Sequence, residues 1–264
     1  MRTNKKHIRL YVDGYDMSGY IRDAGACGFT FDSVPDATVT DLVKNSINGY
    51  ANINAGPFNA VLDNDASTYP AGMFSTFKVS GTPHNVVVPI GTQAPPIAGD
   101  PMFAWYLNQT NYSVTGGDGF VTVNLAMDQA GTMVGYVKPF GYLNHAYGAE
   151  TGANSANNTL FMDSVGQTAK GGYFVYQLIT ASGGAGAGTV TLSLDDSANS
   201  TAWVALSGAT SGALVTANTS AATVPQSGMI KLASTAVVRQ YLRWQLALSV
   251  QTTATFVCGF IRNT

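Results

Sequence analysis

The sequence predicts a mainly β protein built of two β-sandwich or barrel units, residues 1–140 and 141–264, with one short helix packed on the first. Three observations carry that prediction. Apolar residues recur at every second position in several stretches, which is the period of a half-buried strand. Glycine, proline and Asp-Gly pairs punctuate those stretches at short intervals, as turns require. Helical spacing occurs once, at Val39, Leu42, Val43 and Ile47, where Asp36, Thr38 or Thr40 can cap the start and Gly49 the end.

In chain order, Ile8 to Val12 reads as a short strand that stops at the turn pair Asp13-Gly14, and Phe29 to Phe31 as a second. After the helix come Phe58 to Leu62, Phe74 to Val79 and Val86 to Ile90, with the polar turn Asp63-Asn64-Asp65 between the first two. The segment Gly91 to Pro101 holds Pro95, Pro96 and Pro101, so it reads as an exposed crossing rather than a central strand. Met102 to Leu107 and Phe120 to Met127 form an expected hairpin across Gly116-Gly117-Asp118-Gly119. From Gly141 to Thr159 small and polar residues dominate, and the division between the two units is placed there.

The same pattern then recurs. Tyr173 to Ile179, the glycine loop Ser182 to Gly188, and Thr189 to Leu194 read as a second hairpin of the same type. A shift of 69 residues lays Gly117, Gly119, Val121, Val123 and Leu125 on Gly186, Gly188, Val190, Leu192 and Leu194, a trace of duplication. Ser207 to Ser220 is a small-residue loop, either a surface connection or an arm that orders against a neighbour. Val237 to Arg262 closes the chain as an expected hairpin. Leu242, Trp244, Leu246 and Leu248 alternate with polar residues, whereas Ala254 to Ile261 is apolar on both faces and therefore central, needing cover from within the fold or from a neighbouring subunit.

Hydrophobic residues make up 45% of the 264 and charged residues 11%, under half the usual share, which favours an assembling protein over a free monomer. A formal net charge of −2 argues against a nucleic-acid reader, which needs clustered Lys and Arg. The basic start MRTNKKHIRL has no apolar stretch after it, so no secretory signal is expected, and no run of about 18 apolar residues suggests a membrane helix.

No residue set points to catalysis. His7, His84 and His145 lack metal-ligand spacing, Cys27 and Cys258 read as small buried hydrophobes, and Asp63-Asn64-Asp65 and Asp195-Asp196 read as turns rather than Ca²⁺ loops. Glycines 183, 184, 186 and 188 are not followed by the Lys-Ser or Lys-Thr of a phosphate loop. Asn111-Tyr112-Ser113 and Asn199-Ser200-Thr201 match the glycosylation pattern by composition alone. Trp105, Trp203 and Trp244 read as core or interface anchors rather than sugar platforms. No cofactor and no metal are expected.

Three stretches resemble the major tail proteins of long-tailed bacteriophages. Leu10 to Gly25 is similar to the "DG-x-D-x-S" run that begins the tube subunit, in Asp13, Gly14, Asp16 and Ser18. Asp195 to Ala209 is similar to the family's "DS…W…L" signature, and VVRQYLRWQL with ATFVCGFIR resembles its "RYLR" and closing "GF-x-R" strands, while Thr68 to Gly172 departs in detail. The resemblance implies tube-like β domains whose strands join between subunits into an inner barrel, and trimers acting as pseudo-hexameric rings. It also implies tape-measure and tail terminator proteins as partners, virion-tail localisation after assembly in the host cytoplasm, and genomic DNA passing non-specifically. Arg243, Trp244, Arg262 and Trp203 are the assembly candidates, the two arginines for ion pairs between subunits. The alternative is a capsid decoration, fibre or receptor-binding protein that holds a cell-surface glycan on its Trp and Tyr faces; a depolymerase comes third.

Overall fold

The computed structural model describes residues 7–23, 26–35, 46–61, 83–116, 121–129, 140–152, 154–155, 160–161, 166–184, 186–216 and 226–263. Among them there is strand and turn and no α-helix. The helix expected over Val39 to Ile47 lies outside the described residues up to position 45, and its last two positions, Ser46 and Ile47, are strand. The strand expected at Phe74 to Val79 also lies outside them.

The first half contributes β1 (Tyr11–Val12), β2 (Tyr15–Asp16), β3 (Ile21–Asp23), β4 (Ala26–Pro35), β5 (Ser46–Val61), β6 (His84–Pro89), β7 (Pro101–Gly116) and β8 (Val121–Gln129). Asp13 and Gly14, both at positive φ, make the two-residue turn from β1 to β2. The rest contributes β9 (Phe140–Thr151), β10 (Asn154–Ser155), β11 (Leu160–Phe161), β12 (Gly172–Ser182), β13 (Gly188–Ser197), β14 (Val204–Thr210), β15 (Leu214–Thr216), β16 (Gln226–Lys231), β17 (Tyr241–Leu248) and β18 (Thr253–Arg262).

These strands make two antiparallel sheets. The large one runs β16-β12-β18-β9-β7-β6-β1-β2, and β8, β5, β4 and β3 branch from the outer part of β7. The small one runs β10-β17-β13-β14, with β11 also on β17 and β15 on β13. Strand β7 is the hinge of the large sheet. Its first residues pair with β6 and β9, and from Leu107 it pairs with β8, through a register shift at Gln109/Asn111, as far as Gly116.

Two expected hairpins are not hairpins. Strand β12 pairs with β16 and β18 in the large sheet, while β13 pairs with β17, β14 and β15 in the small one. Likewise β17 lies in the small sheet and β18 in the large. Both connections are arches that cross from one sheet to the other, so the duplicated hairpin type does not exist as pairing. Only β7–β8 is the hairpin that its glycines suggest.

Burial gives the physical reason. Strand β12 is buried at every position from Gly172 to Ile179 and β18 from Phe256 to Arg262, whereas β13 and β17 alternate buried with half-buried or exposed. A strand that is apolar on both faces needs a layer on each side. One layer is the small sheet, through a core that includes Phe174, Leu192, Leu194, Leu242, Trp244, Leu246, Phe256 and Phe260. The other is the large sheet itself, which rolls so that Val175, Val257 and Ile261 face Tyr11, Val87, Met102, Ala104 and Leu143. The cover for β18 is thus supplied within the chain. The roll stays open, since β16 and β2 are not paired, and side chains bridge the gap. Gln177 accepts a hydrogen bond from Gly14 N and donates to Asn85 O (3.0 Å), and Tyr106 OH accepts from Met229 N (3.0 Å).

In the stretch of small and polar residues that begins at Gly141, Gly141 to Thr151 lie in strand β9, which pairs with both β7 and β18. The loop Ser207 to Ser220 is partly strand, since Ser207 to Thr210 lie in β14 and Leu214 to Thr216 pair with β13.

Candidate functional site

The two downstream signature stretches meet at one end of the packed sheets. Asp195 and Asp196 are consecutive on β13, so one points to the wet face of the small sheet and the other inward. Arg243, directly across the ladder from Asp195, donates to its carboxylate through Nε (2.9 Å) and Nη2 (2.8 Å), and Gln245 adds a third donor at 2.6 Å. The same guanidinium lies over the Trp203 ring, 4.7 Å from its centroid. Asp196 is only 2% exposed and accepts from Arg239, once from its backbone N (2.9 Å) and once from Nη1 (2.7 Å).

Arg262 completes the cluster from β18. It is 5% exposed, and its guanidinium donates to the carbonyls of Gly166 (3.1 Å), Val238 (2.8 Å) and Arg239 (2.7 Å). One side chain of the large sheet thereby holds the chain segment that leads into the small sheet. Trp244 points the other way from Arg243, into the core between the sheets, edge-on to Phe256 at 5.5 Å. The four assembly candidates therefore divide. Arg243 and Trp203 lie on a partly exposed face, and Trp244 and Arg262 are buried. Arg239, Asp195, Asp196 and Gln245 were not among the candidates; the signal that could have found them is the register that places Asp195 and Asp196 opposite Arg243 and Leu242.

The opening signature is a separate construction. The Asp13 carboxylate accepts from Asn85 N (2.8 Å) and meets His84 Nδ1 (2.6 Å), Asp16 accepts from Ser18 N (3.0 Å), and Ser18 Oγ accepts from Leu10 N (3.0 Å). Each polar residue of "DG-x-D-x-S" is thus occupied in holding the first turn. His145 lies between the sheets, stacked on Phe256 at 4.0 Å and edge-on to Trp244 at 4.8 Å, with Nε2 3.0 Å from Glu150. Burial pushes its pKa below the ordinary 6.5, against the opposing pull of Glu150. Burial likewise pushes up the Cys258 thiol. Trp105 is fully buried beside Phe58 and Leu107. Asn199 has its side-chain oxygen committed to Thr201 N and Ala202 N (3.1 Å each). Asp63-Asn64-Asp65 lies outside the described residues, and among those described no three His, Cys, Asp or Glu side chains gather as a metal site.

No family model and no curated protein matches the chain. Among solved structures it is similar to the SPP1 Dit protein, described as a paradigm of the hub adsorption apparatus in phages that infect Gram-positive bacteria. The identity is 11% and the TM-score 0.30, over 97% of this chain and 99% of that one. A score so low leaves the functional reading to the chain's own residues. Chemically, the cluster of Asp195, Asp196, Arg239, Arg243 and Arg262 is a clamp. Every carboxylate in it faces a guanidinium, and the buried guanidinium of Arg262 faces carbonyls. Nothing in it presents a nucleophile or an acid–base pair to a substrate.

Proposed function

We propose that this chain is a structural subunit of a bacteriophage tail tube, assembling as trimers into pseudo-hexameric rings that stack around a tape-measure protein and pass genomic DNA. The sequence resemblance motivates the reading, and the outer half of β7 is the observation that carries it. Thr110, Asn111 and Ser113 to Gly116 are exposed one after another, on both faces of the strand, and Val114 is 49% exposed. Beyond Leu107 that half pairs along one edge, with β8, and among the described residues its other edge has no strand beside it. A strand that is wet on both faces and that, among the described residues, pairs along one edge alone gains little by folding alone and can add a strand from another subunit. The interior of the roll is filled by Met102, Leu143, Val175 and Ile261, so a conduit in this reading lies between subunits.

The glycan-binding alternative loses its tryptophan platforms, because Trp105 and Trp244 are buried and Arg243 covers a face of Trp203. Negative-stain microscopy of concentrated protein tests the tube reading. Rings or tubes are expected from the wild-type chain and not from Val114→Lys, which places a charge on the open arm while leaving the melting temperature within about 2 °C. Tubes from Val114→Lys, or monomers from the wild type under every condition including the presence of tail-initiation proteins, would remove the reading.

A further inference from the structure

Gln177 is the one amide side chain in the apolar run Tyr173 to Ile179, and it is 0% exposed. It sits on β12 between β16 and β18, opposite Ser227 on one side and Val257 on the other, so ladders on both edges fix its backbone. A buried amide is costly unless its donor and its acceptor are both bonded, and here both reach across the open seam of the roll. Nε2 donates to Asn85 O (3.0 Å), and Oε1 accepts from Gly14 N. The second bond captures the backbone N–H of a chemically reactive pair.

Asp13-Gly14 is one of two Asp-Gly pairs in the chain; the other is Asp118-Gly119. In such a pair the backbone nitrogen after the aspartate can attack its side chain, because glycine has no Cβ to obstruct the approach. The bond from Gly14 N to Asp13 Cγ forms, and a carboxyl oxygen leaves as water, with one proton from the amide and one from solvent. Water then adds to the α-carbonyl of Asp13 and breaks its bond to Gly14 N. The chain now runs through the side-chain carbonyl, and the former α-carbonyl is a free carboxylate. Only water is released and taken up. The product inserts a methylene into the backbone of a two-residue turn, where Asp13 and Gly14 sit at φ 51° and 87°, and so disturbs the pairing of Val12 with Tyr15.

The fold holds both reacting groups away from this step. Gly14 N is committed to Gln177, and the Asp13 carboxylate is turned onto β6, where it accepts from Asn85 N (2.8 Å) and meets His84 Nδ1 (2.6 Å). These restraints come from 71 to 163 positions away in the chain, so they vanish when the turn lifts from β6 and β12. We infer that Asp13-Gly14 is a latent isomerisation site and that Gln177 is the lock that keeps it unreacted. Lifting the turn off β12 releases Gly14 N, and a reversible opening becomes permanent once the ring has formed and hydrolysed. This inference does not depend on the tube reading.

The test incubates the full wild-type chain, Gln177→Leu and a synthetic peptide Tyr11–Met17 at neutral pH. Isoaspartate at Asp13 is read in the tryptic peptide Leu10–Arg22, and directly in the synthetic one, by chromatographic separation and enzymatic methylation of the new carboxylate. The wild type should isomerise about tenfold or more slowly than the peptide, since only its opened fraction reacts. Gln177→Leu, shown by a thermal melt to be folded, should isomerise at Asp13 about tenfold or more faster than the wild type, with the rate at Asp118 in the same digest unchanged. A folded Gln177→Leu as slow as the wild type, or a wild type as fast as the peptide, overturns the lock. If Gln177→Leu does not fold, the wild type decides. Hydrogen exchange at Gly14 N gives the opened fraction, and isomerisation at or below the peptide rate multiplied by that fraction supports the lock; a rate well above that product overturns it.

Discussion

The connection from β7 to β8 returns the chain to a neighbour in the same sheet, Gly116 beside Val121, whereas the connection from β12 to β13 carries it across the core to the other sheet. Both follow an aromatic strand, and both lead into an alternating one across several glycines. What separates them is the strand before the loop. Strand β7 reaches its loop through residues exposed on both faces, so the return strand can lie beside it at no cost to a core. Strand β12 is buried on both faces to Ile179, and a return strand with a wet face beside it would carry polar residues into one of the two cores. Doubly apolar strands therefore pair with each other, β12 with β18, and alternating strands with each other, β13 with β17. The arches from β12 to β13 and from β17 to β18, two of the crossings between the sheets, lie side by side: Thr252 N donates to Ser182 O (3.0 Å), and Gln251 Nε2 approaches Gly186 O at 3.4 Å.

If the arch-joined half is held by its crossings and the hairpin arm is not, substitutions in the two should differ sharply. The largest effect is expected at Arg262, which ties the sheets together at the end opposite the arches. Arg262→Met keeps the packing volume but leaves the carbonyls of Gly166, Val238 and Arg239 without that donor. A loss of about 3–4 kcal/mol in urea unfolding is expected. Arg243→Met, which removes a partly exposed ion pair, should cost about 1 kcal/mol. Equal losses from the two variants would break the view that the buried arginine, not the visible ion pair, holds the sandwich.

Next in size is Gly184→Ala. Gly184 has φ +83°, and a Cβ there would fall 2.0 Å from Val250 O of the other arch. The left-handed backbone and the overlap together should cost about 3 kcal/mol. A small effect would mean that the arches are separable, and that the sandwich would survive one of them being rebuilt.

Much of the strand content was legible, and the partners were not. Alternation in Leu242, Trp244, Leu246 and Leu248 correctly indicated a strand with one wet face, and the apolar run from Ala254 to Ile261 a central strand. Alternation reports faces, however, and says nothing about which strand lies alongside. The rule of pairing like burial with like was available in the sequence, but Gln251-Thr252-Thr253 resembles a hairpin turn closely enough to mask it. Strand β9 was missed for a different reason. Its small residues are what the packing requires: a Cβ on Gly141 would fall 2.2 Å from Phe260 O of the neighbouring strand, so the position where apolar periodicity fades is one where the sheet is tightest. In the candidate site Arg243 and Arg262 were found as singular residues, but their roles depend on Asp195 and on three carbonyls that lie between 23 and 96 positions away in the chain.

A pH titration sharpens the comparison further, because His145 lies in the arch-joined half. Burial holds its folded pKa below 6.5, so the unfolded chain binds the proton more readily. The stability associated with neutral His145 is therefore complete above pH 6.5 and is lost as pH falls through 6.5 toward the folded value. The melting temperature of the wild type should decline across that window, and that of His145→Gln should decline less. Parallel curves for the two proteins would assign the acid sensitivity elsewhere.

The smallest effect belongs to the hairpin. No atom lies within 4 Å of a Cβ built on Gly116, and Gly116→Ala should change stability by no more than about 0.5 kcal/mol. That near-zero value is informative beside Gly184→Ala, since the two glycines belong to loops that the sequence presents as equivalent. In an arch, the glycine is where two crossings touch, and a methyl group there is felt by the whole sandwich. At the end of an arm that is wet on both faces, a methyl group meets nothing in the isolated chain. If Gly116→Ala leaves the melt unchanged but alters the yield or length of tubes, the space beside Gly116 is filled by another subunit, and the arm is where that subunit sits.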